Sequence, residues 1–241
     1  MTYCVGLKLN DGIVCLSDTR TNAGLDNIST YRKMFTFEVP GERVIVIMTA
    51  GSLSVTQTTI ARLDEATTDT EATPETSILL APTMLKVAEM IGRALNDTSQ
   101  EVGSRMGETA ASASASMIVA CQRLGGDMRL FLIYPEGNFI EATADTPYLQ
   151  IGEHKYSKPI LDRVVTTETS LADAKKAVFL SMDSTLRSNL SVGMPLDLAV
   201  ISANECRITE QRRIEDQDAT FRAMSGAWSE ALKTAFTGID V

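Results

Sequence analysis

The 241-residue chain has one histidine, four cysteines and no long hydrophobic run, and each shortage excludes a class of chemistry. His154 lies in Gly152-Glu153-His154-Lys155-Tyr156, which reads as a surface turn rather than a place for a Ser-His-Asp triad. With a single imidazole, and with Cys4, Cys15, Cys121 and Cys206 far apart and forming no C-x-x-C pair, a Cys/His zinc site is excluded. No window approaches the ~18 apolar residues of a membrane span. The first residues lack the basic segment and apolar stretch of a signal peptide. Lys and Arg number 22 against 31 Asp and Glu, a net charge of −9, with no run of five basic residues. Nucleic acid and anionic membranes are therefore not expected partners, because both are held by clustered cations. G-x-S-x-G, G-x-x-x-x-G-K-S/T and H-E-x-x-H are all missing. Asp69, Glu71 and Glu75 make an acidic loop without the ligand spacing of a calcium site. No metal and no cofactor is expected. The expectation is a reduced, cytoplasmic protein.

What is present is an ordinary globular composition, 44% hydrophobic and 22% charged, long enough to bury a core without staples. Thr2 to Leu9 and Ile13 to Ser17 read as strands around Asn10-Asp11-Gly12, residues that tolerate the positive φ of a tight hairpin. Met34 to Glu38 reads as a strand, and Arg43 to Thr49 as one buried on both faces, ended by Ala50-Gly51-Ser52. Helices are predicted over Ser52 to Ala66 and from Pro82 to Gly107, with Pro82 in the first turn. Beyond the Ala-Ser alternation of Ala111 to Ser116 come strands at Met117–Gln122, Met128–Tyr134, Phe139–Ala142 and Tyr148–Ile151. A helix carrying Leu171, Ala174, Val178, Met182 and Leu186 follows, then strands at Leu196–Ser202 and Arg207–Arg213. Phe221, Met224, Trp228 and Leu232 mark an amphipathic tail helix, in an extension over about 214–241. Two runs of strands, each completed by helices, predict two stacked sheets with helices outside: one α+β domain over residues 1–241.

The N-terminus carries the informative chemistry. Thr2 is small, so removal of Met1 by the housekeeping aminopeptidase is expected and leaves threonine first. A terminal threonine holds nucleophile and base together, its hydroxyl attacking while its α-amine, of reference pKa near ~7.7 to 8.0, takes the proton. No histidine is needed. A hairpin centred on Asn10-Asp11 pairs residues whose numbers sum to about 21. That places Thr2 within a residue of Asp18 and Thr19, and Lys33 enters just before the next strand. A lysine beside the amine and hydroxyl depresses their proton affinity, with Asp18 holding it charged and oriented. The Gly51 N–H, where a buried strand ends before a helix, is a suitable oxyanion donor. On spacing alone the alternative stays open that Thr2 is an ordinary start and Asp18–Lys33 a structural pair.

Thr2, Asp18-Thr19-Arg20-Thr21-Asn22-Ala23-Gly24, Lys33 and Met48-Thr49-Ala50-Gly51 together resemble the proteasome β and HslV family. Tyr31 to Phe35, Val39 to Arg43 and the extra C-terminal helix extend the resemblance over essentially the full length, most closely to the Anbu branch. The resemblance implies an N-terminal-nucleophile hydrolase of four-layer αββα sandwich fold, a threonine peptidase assembled from identical subunits into a ring or open helical ring. It implies Thr2 as nucleophile, Asp18 and Lys33 as its tuning pair, Gly51 as oxyanion donor and Asp183 as a further acid near Thr2. Thr21, Asn22 and Gly51 would hold an extended peptide by strand-like hydrogen bonds, with Thr49 at the primary specificity pocket. Where the family carries a serine after the glycine matching Gly152, this chain has Glu153, which predicts weak activity on simple peptides. Two other readings are a non-catalytic subunit on the same fold and an amidase for small amides. Any unfolding power would come from a separate ATPase, since the chain has no nucleotide loop.

Overall fold

A computed structural model describes residues 2–22, 28–106 and 113–240. The Ala23-Gly24 part of the motif, Gly107, Ala111 and Ser112 lie outside the described residues, as does Met1.

Asn10 and Asp11 close the first hairpin, β1 (Tyr3–Leu9) with β2 (Gly12–Asp18), in the register Cys4↔Ser17 to Leu9↔Gly12. The 21-sum expectation holds along its whole length. β2 also pairs antiparallel with β11 (Leu196–Ser202), and β1 with β10 (Tyr148–Gly152). With β12 (Glu210–Ile214) they form one five-stranded sheet in the order β10-β1-β2-β11-β12. The second sheet is β5 (Met34–Val39), β6 (Arg43–Gly51), β7 (Ala115–Arg123), β8 (Arg129–Ile133) and β9 (Phe139–Glu141), paired in that order.

Strand alternation sorts the apolar residues into three layers of core. Cys4, Ile13, Cys15 and Ala199 from one sheet meet Val44, Val46, Met48 and Ile118 from the other between the sheets. The opposite face of the second sheet, with Ile45, Ile47 and Val119, packs on α1 (Leu53–Thr68) and α2 (Met84–Met106). The outer face of the first sheet, with Val5, Leu7 and Leu198, is covered by α3 (Lys158–Val164) and α4 (Leu171–Ser188). Phe221 of α5 (Ala219–Thr237) joins that last cluster. The architecture is an α+β, four-layer αββα sandwich.

Several boundaries differ from the sequence reading. β6 runs on through Ala50 to Gly51, because β7 continues to pair with it as far as Gly51↔Ala115. Pro82 stands before α2, whose start is fixed by the Thr83 hydroxyl accepting the Lys86 N–H at 3.1 Å. β12 begins at Glu210 rather than Arg207, and it claims Ile214, so the C-terminal extension starts one residue later. A short ribbon of β3 (Arg20–Asn22) and β4 (Ile28–Thr30) was not expected. Its half-exposed three-residue strands carry no apolar alternation.

Candidate active site

Thr2 sits one residue before β1 and is 7% exposed. Its carbonyl accepts the Glu153 N–H at 2.7 Å, which ties the chain start to the end of β10. The approach requires glycine at 152: φ is +83°, and a Cβ there would fall 1.9 Å from the Thr2 oxygen.

Asp18, at the end of β2, is fully buried and collects three donors. Its Oδ1 accepts Lys33 Nζ at 2.7 Å and the Tyr3 N–H at 3.1 Å, while Oδ2 accepts the Gly193 N–H at 3.2 Å. Burial pushes the Asp18 carboxyl above its usual range, and the Lys33 ammonium and the two N–H groups pull it back. Lys33 Nζ also donates to the Arg20 carbonyl at 2.6 Å. The ammonium is thus held from two sides in a site where it is 4% exposed.

Thr2 and Lys33 face a common cavity of about 310 Å³, also lined by Thr21, Asn22, Thr49, Gly51 and Thr56. Larger cavities exist, such as one of about 430 Å³ beside Phe35, Phe37 and Ile60, but Thr2 does not line it. The chemistry follows the side chains, not the volume.

Backbone direction in β6 follows from two hydrogen bonds. The Thr49 N–H donates to the Lys33 carbonyl at 2.9 Å, and the Ser52 N–H donates across to the Ser114 carbonyl at 2.9 Å. Successive N–H groups alternate sides in a strand. Gly51 therefore turns its N–H away from β7, toward the side of Lys33 and past the end of β5, where the cavity opens. The same logic separates Thr21 from Asn22. The Thr19 carbonyl accepts the Tyr31 N–H at 2.8 Å, and the Arg20 carbonyl faces Lys33. Thr21 then directs its backbone into the β3–β4 ribbon, and Asn22 directs its own to the Lys33 side. Of Thr21 and Asn22, Asn22 has the backbone that faces the cleft. Its Oδ1 is buried with no hydrogen-bond partner among the described residues. Thr49 lines the cavity with its hydroxyl 3.5 Å from the Lys33 carbonyl.

Asp183 is not brought to this cavity. It lies on the α4 face toward α5, where Oδ1 accepts the Ser225 hydroxyl at 2.7 Å and Oδ2 accepts Arg187 Nε at 3.1 Å. The resemblance put Asp183 near Thr2; instead α5 covers the face of α4 that carries it. Glu153 reaches Thr2 by its backbone, and its carboxylate lies 3.8 Å from Lys155 Nζ. His154 is exposed, as its turn suggested. Missed from the sequence were Gly193 and the Tyr3 amide on Asp18, and the Arg20 carbonyl on Lys33. These are backbone contacts, and no residue type signals them. Thr56 could have been found, since it lies one turn beyond Leu53 at the start of the helix after Gly51.

The family described as Proteasome subunit matches residues 2–201. No curated relative matches the chain. Among solved structures it is similar to an Anbu (Gly-1) mutant from Hyphomicrobium sp. strain MC1, at 44% identity and a TM-score of 0.93. That match covers 100% of this chain and 99% of the other. It is also similar to Anbu from Yersinia bercovieri, at 39% identity and a TM-score of 0.91, over 99% of this chain and 98% of that one. A helical assembly of the Anbu complex from Pseudomonas aeruginosa matches at 43% identity and a TM-score of 0.88, over 99% of this chain and 97% of that one. With this coverage and the architecture around Thr2, the chain belongs to the proteasome family, in its Anbu branch.

Proposed function

We propose that this chain is a threonine-type peptidase or amide hydrolase whose nucleophile is Thr2 once Met1 is removed. One observation carries the reading: a buried Asp18–Lys33 pair opens on the same cavity as Thr2, with the Gly51 N–H turned toward it. A scaffold has no use for a buried ammonium beside the first hydroxyl.

In the reaction, Thr2 Oγ1 attacks the carbonyl carbon of an extended peptide while its proton passes to the freed α-amine. The Gly51 N–H donates to the oxyanion of the tetrahedral intermediate. The α-ammonium then gives its proton to the departing amine, the C–N bond breaks, and an acyl ester on Thr2 remains. Water hydrolyses that ester with the amine again acting as base, which restores the hydroxyl. Lys33 favours the deprotonated forms of both Thr2 groups by its charge, and Asp18 fixes where that charge sits. Asn22 and Gly51 offer the backbone groups for strand-like binding of the substrate. Thr49 and Thr56 make the adjoining wall small and hydroxyl-lined, which suits small or weakly polar side chains.

The working form is an assembly of identical subunits, as the helical assembly of the Pseudomonas relative suggests. Four free, buried cysteines suit a reducing, cytoplasmic compartment. Protein substrates would need a separate ATPase to unfold them.

Intact mass before and after a peptide epoxyketone tests the nucleophile, because the ring adduct needs both the free amine and the hydroxyl. A species lacking Met1 gains one inhibitor, and Thr2→Ala gains none. Failure of a Met1-free sample to react across several peptides sinks the reading in favour of a non-catalytic subunit. Glu153 is the specific reason to expect weak turnover. A carboxylate that swings to the α-amine would keep it protonated, so Glu153→Ser is expected to raise the rate on small peptides, and an unchanged rate removes Glu153 from the account.

A further inference from the structure

Behind the Asp18–Lys33 pair lies a second cavity, of about 420 Å³, between the end of α4, the segment entering β11 and the first turns of α5. Arg20, Arg187 and Arg222 line it against one carboxylate, Asp216. In a chain of net charge −9 this is a local reversal of sign.

Each guanidinium is anchored by a few of its donors and keeps the rest. Arg20 Nη1 donates to the Leu190 carbonyl at 2.9 Å, and among the described residues no carboxylate pairs with Arg20. Arg187 engages Asp183 at 3.1 Å and the Ser225 hydroxyl at 2.8 Å. Arg222 Nε donates to the Asp216 carbonyl at 3.0 Å, while the Asp216 carboxylate, 76% exposed, stands 4.0 Å from Nη2. A guanidinium has five N–H donors, so more than half of each set makes no hydrogen bond among the described residues. The lining favours an anion with several oxygens, which the planar fork matches two at a time.

The wall between this cavity and the catalytic pair is one layer thick. Arg20 lies across Gly193, where a Cβ would fall 2.1 Å from Nε, so any side chain at 193 would displace the guanidinium. Gly193 turns its N–H to Asp18 Oδ2, and the Arg20 carbonyl takes Lys33 Nζ. The two residues that hold the catalytic pair from behind are thus the floor of the arginine cavity.

We propose that this cavity binds a small oxyanion of two or more negative charges, phosphate-type or polycarboxylate, between Arg20 and Arg222. Its occupancy is sensed at the Asp18–Lys33 pair through Gly193 and Arg20. The binding half of the proposal is independent of the peptidase reading; the sensing half rests on it.

The test uses the full-length assembled protein, titrated calorimetrically with inorganic pyrophosphate and, separately, with citrate, at constant ionic strength. At least one probe binds saturably, and which one does so assigns the ligand to the phosphate or the carboxylate source. Arg222→Ala, on a half-exposed helical position that tolerates alanine, weakens that binding about tenfold or more, and Arg222→Lys weakens it less. Hydrogen exchange of the 189–194 segment slows on binding in the parent and not in Arg222→Ala. The proposal is overturned if neither probe saturates at millimolar concentration, as when a neighbouring copy already fills the cavity. It is equally overturned by unchanged affinity in Arg222→Ala, or by a bound probe that leaves exchange at 189–194 unaltered. None of these readouts uses peptide hydrolysis, so their failure leaves the assignment of Thr2 standing.

Discussion

Lys33 and Arg43 bracket the β5–β6 hairpin, one at its open end and one beside its turn, and both cations are nearly inaccessible, at 4% and 7%. Their partners separate them. Arg43 gives Nη1 to the Ile78 and Ala81 carbonyls, at 3.3 and 2.9 Å, and shares an outer contact with the exposed Glu42. It stitches the segment between α1 and α2 onto the sheet. Lys33 is held by the buried carboxylate of Asp18 and one carbonyl, and it faces the cavity that Thr2 lines. Burying a cation costs desolvation in both places. At Arg43 that cost fastens the fold; at Lys33 it places a fixed positive charge on the cavity that Thr2 lines.

The largest effect that sharpens this contrast is at Lys33. Lys33→Ala lowers peptide hydrolysis by roughly 10³-fold, the upper end of the range for loss of one preorganised electrostatic group. It also leaves Asp18 buried and unpaired, which costs about 3–5 kcal/mol of stability. Rates are therefore compared at equal folded fraction, with Lys33→Arg as the variant that keeps the charge and moves it. Arg43→Ala comes next. It strips donors from two carbonyls and lowers stability by about 1–3 kcal/mol in urea unfolding. Hydrolysis per folded molecule stays within about twofold, because Arg43 acts on the fold alone. If Arg43→Ala silences the folded protein as Lys33→Ala does, the distinction between the two cations is broken.

The placing of Thr2, Asp18 and Gly51 was legible in the sequence because it depends on local signals. Asn10-Asp11-Gly12 fixes a hairpin register, and the register alone brings Thr2 to Asp18. The uninterrupted apolar run of β6 and its glycine end locate Gly51. Arg43 was read only as the first residue of that strand, since its carbonyl partners lie 35 and 38 residues away. Asp183 shows the same limit in the other direction. Its place on α4 is periodic and readable, but its partner Ser225 is 42 residues on, in a helix whose docking no local pattern announces. The β3–β4 ribbon escaped for a third reason: half-exposed three-residue strands leave no period to detect.

Asp197 offers the finest test of what a buried charge needs. Its strand partner is Ser17, one residue from Asp18, and its side chain is 15% exposed, yet its Oδ2 has no hydrogen-bond partner among the described residues. Arg213 approaches the other oxygen only to 3.9 Å. Burial pushes the Asp197 carboxyl above its usual 3.8, against the pull of Arg213 and Arg32. A carboxyl raised on folding holds its proton in the folded state after the unfolded chain has lost it, so its contribution to stability falls as pH rises through the window above 3.8. Burial pushes both carboxyls up; at Asp18 three bonded donors offset part of that push, while Asp197 has only guanidinium charges at a distance. Asp197→Asn therefore makes the protein slightly more stable than the parent at pH 7, and the gain shrinks as pH is lowered toward 4. Denaturant midpoints across that range measure it. An Asn variant less stable than the parent at pH 7, or with the same pH slope, would mean that Arg213 and Arg32 already stabilise Asp197 as Lys33 stabilises Asp18. A distant guanidinium would then be worth as much as a bonded ammonium, and the contrast between partners would no longer explain why the Lys33 charge is fixed where it is.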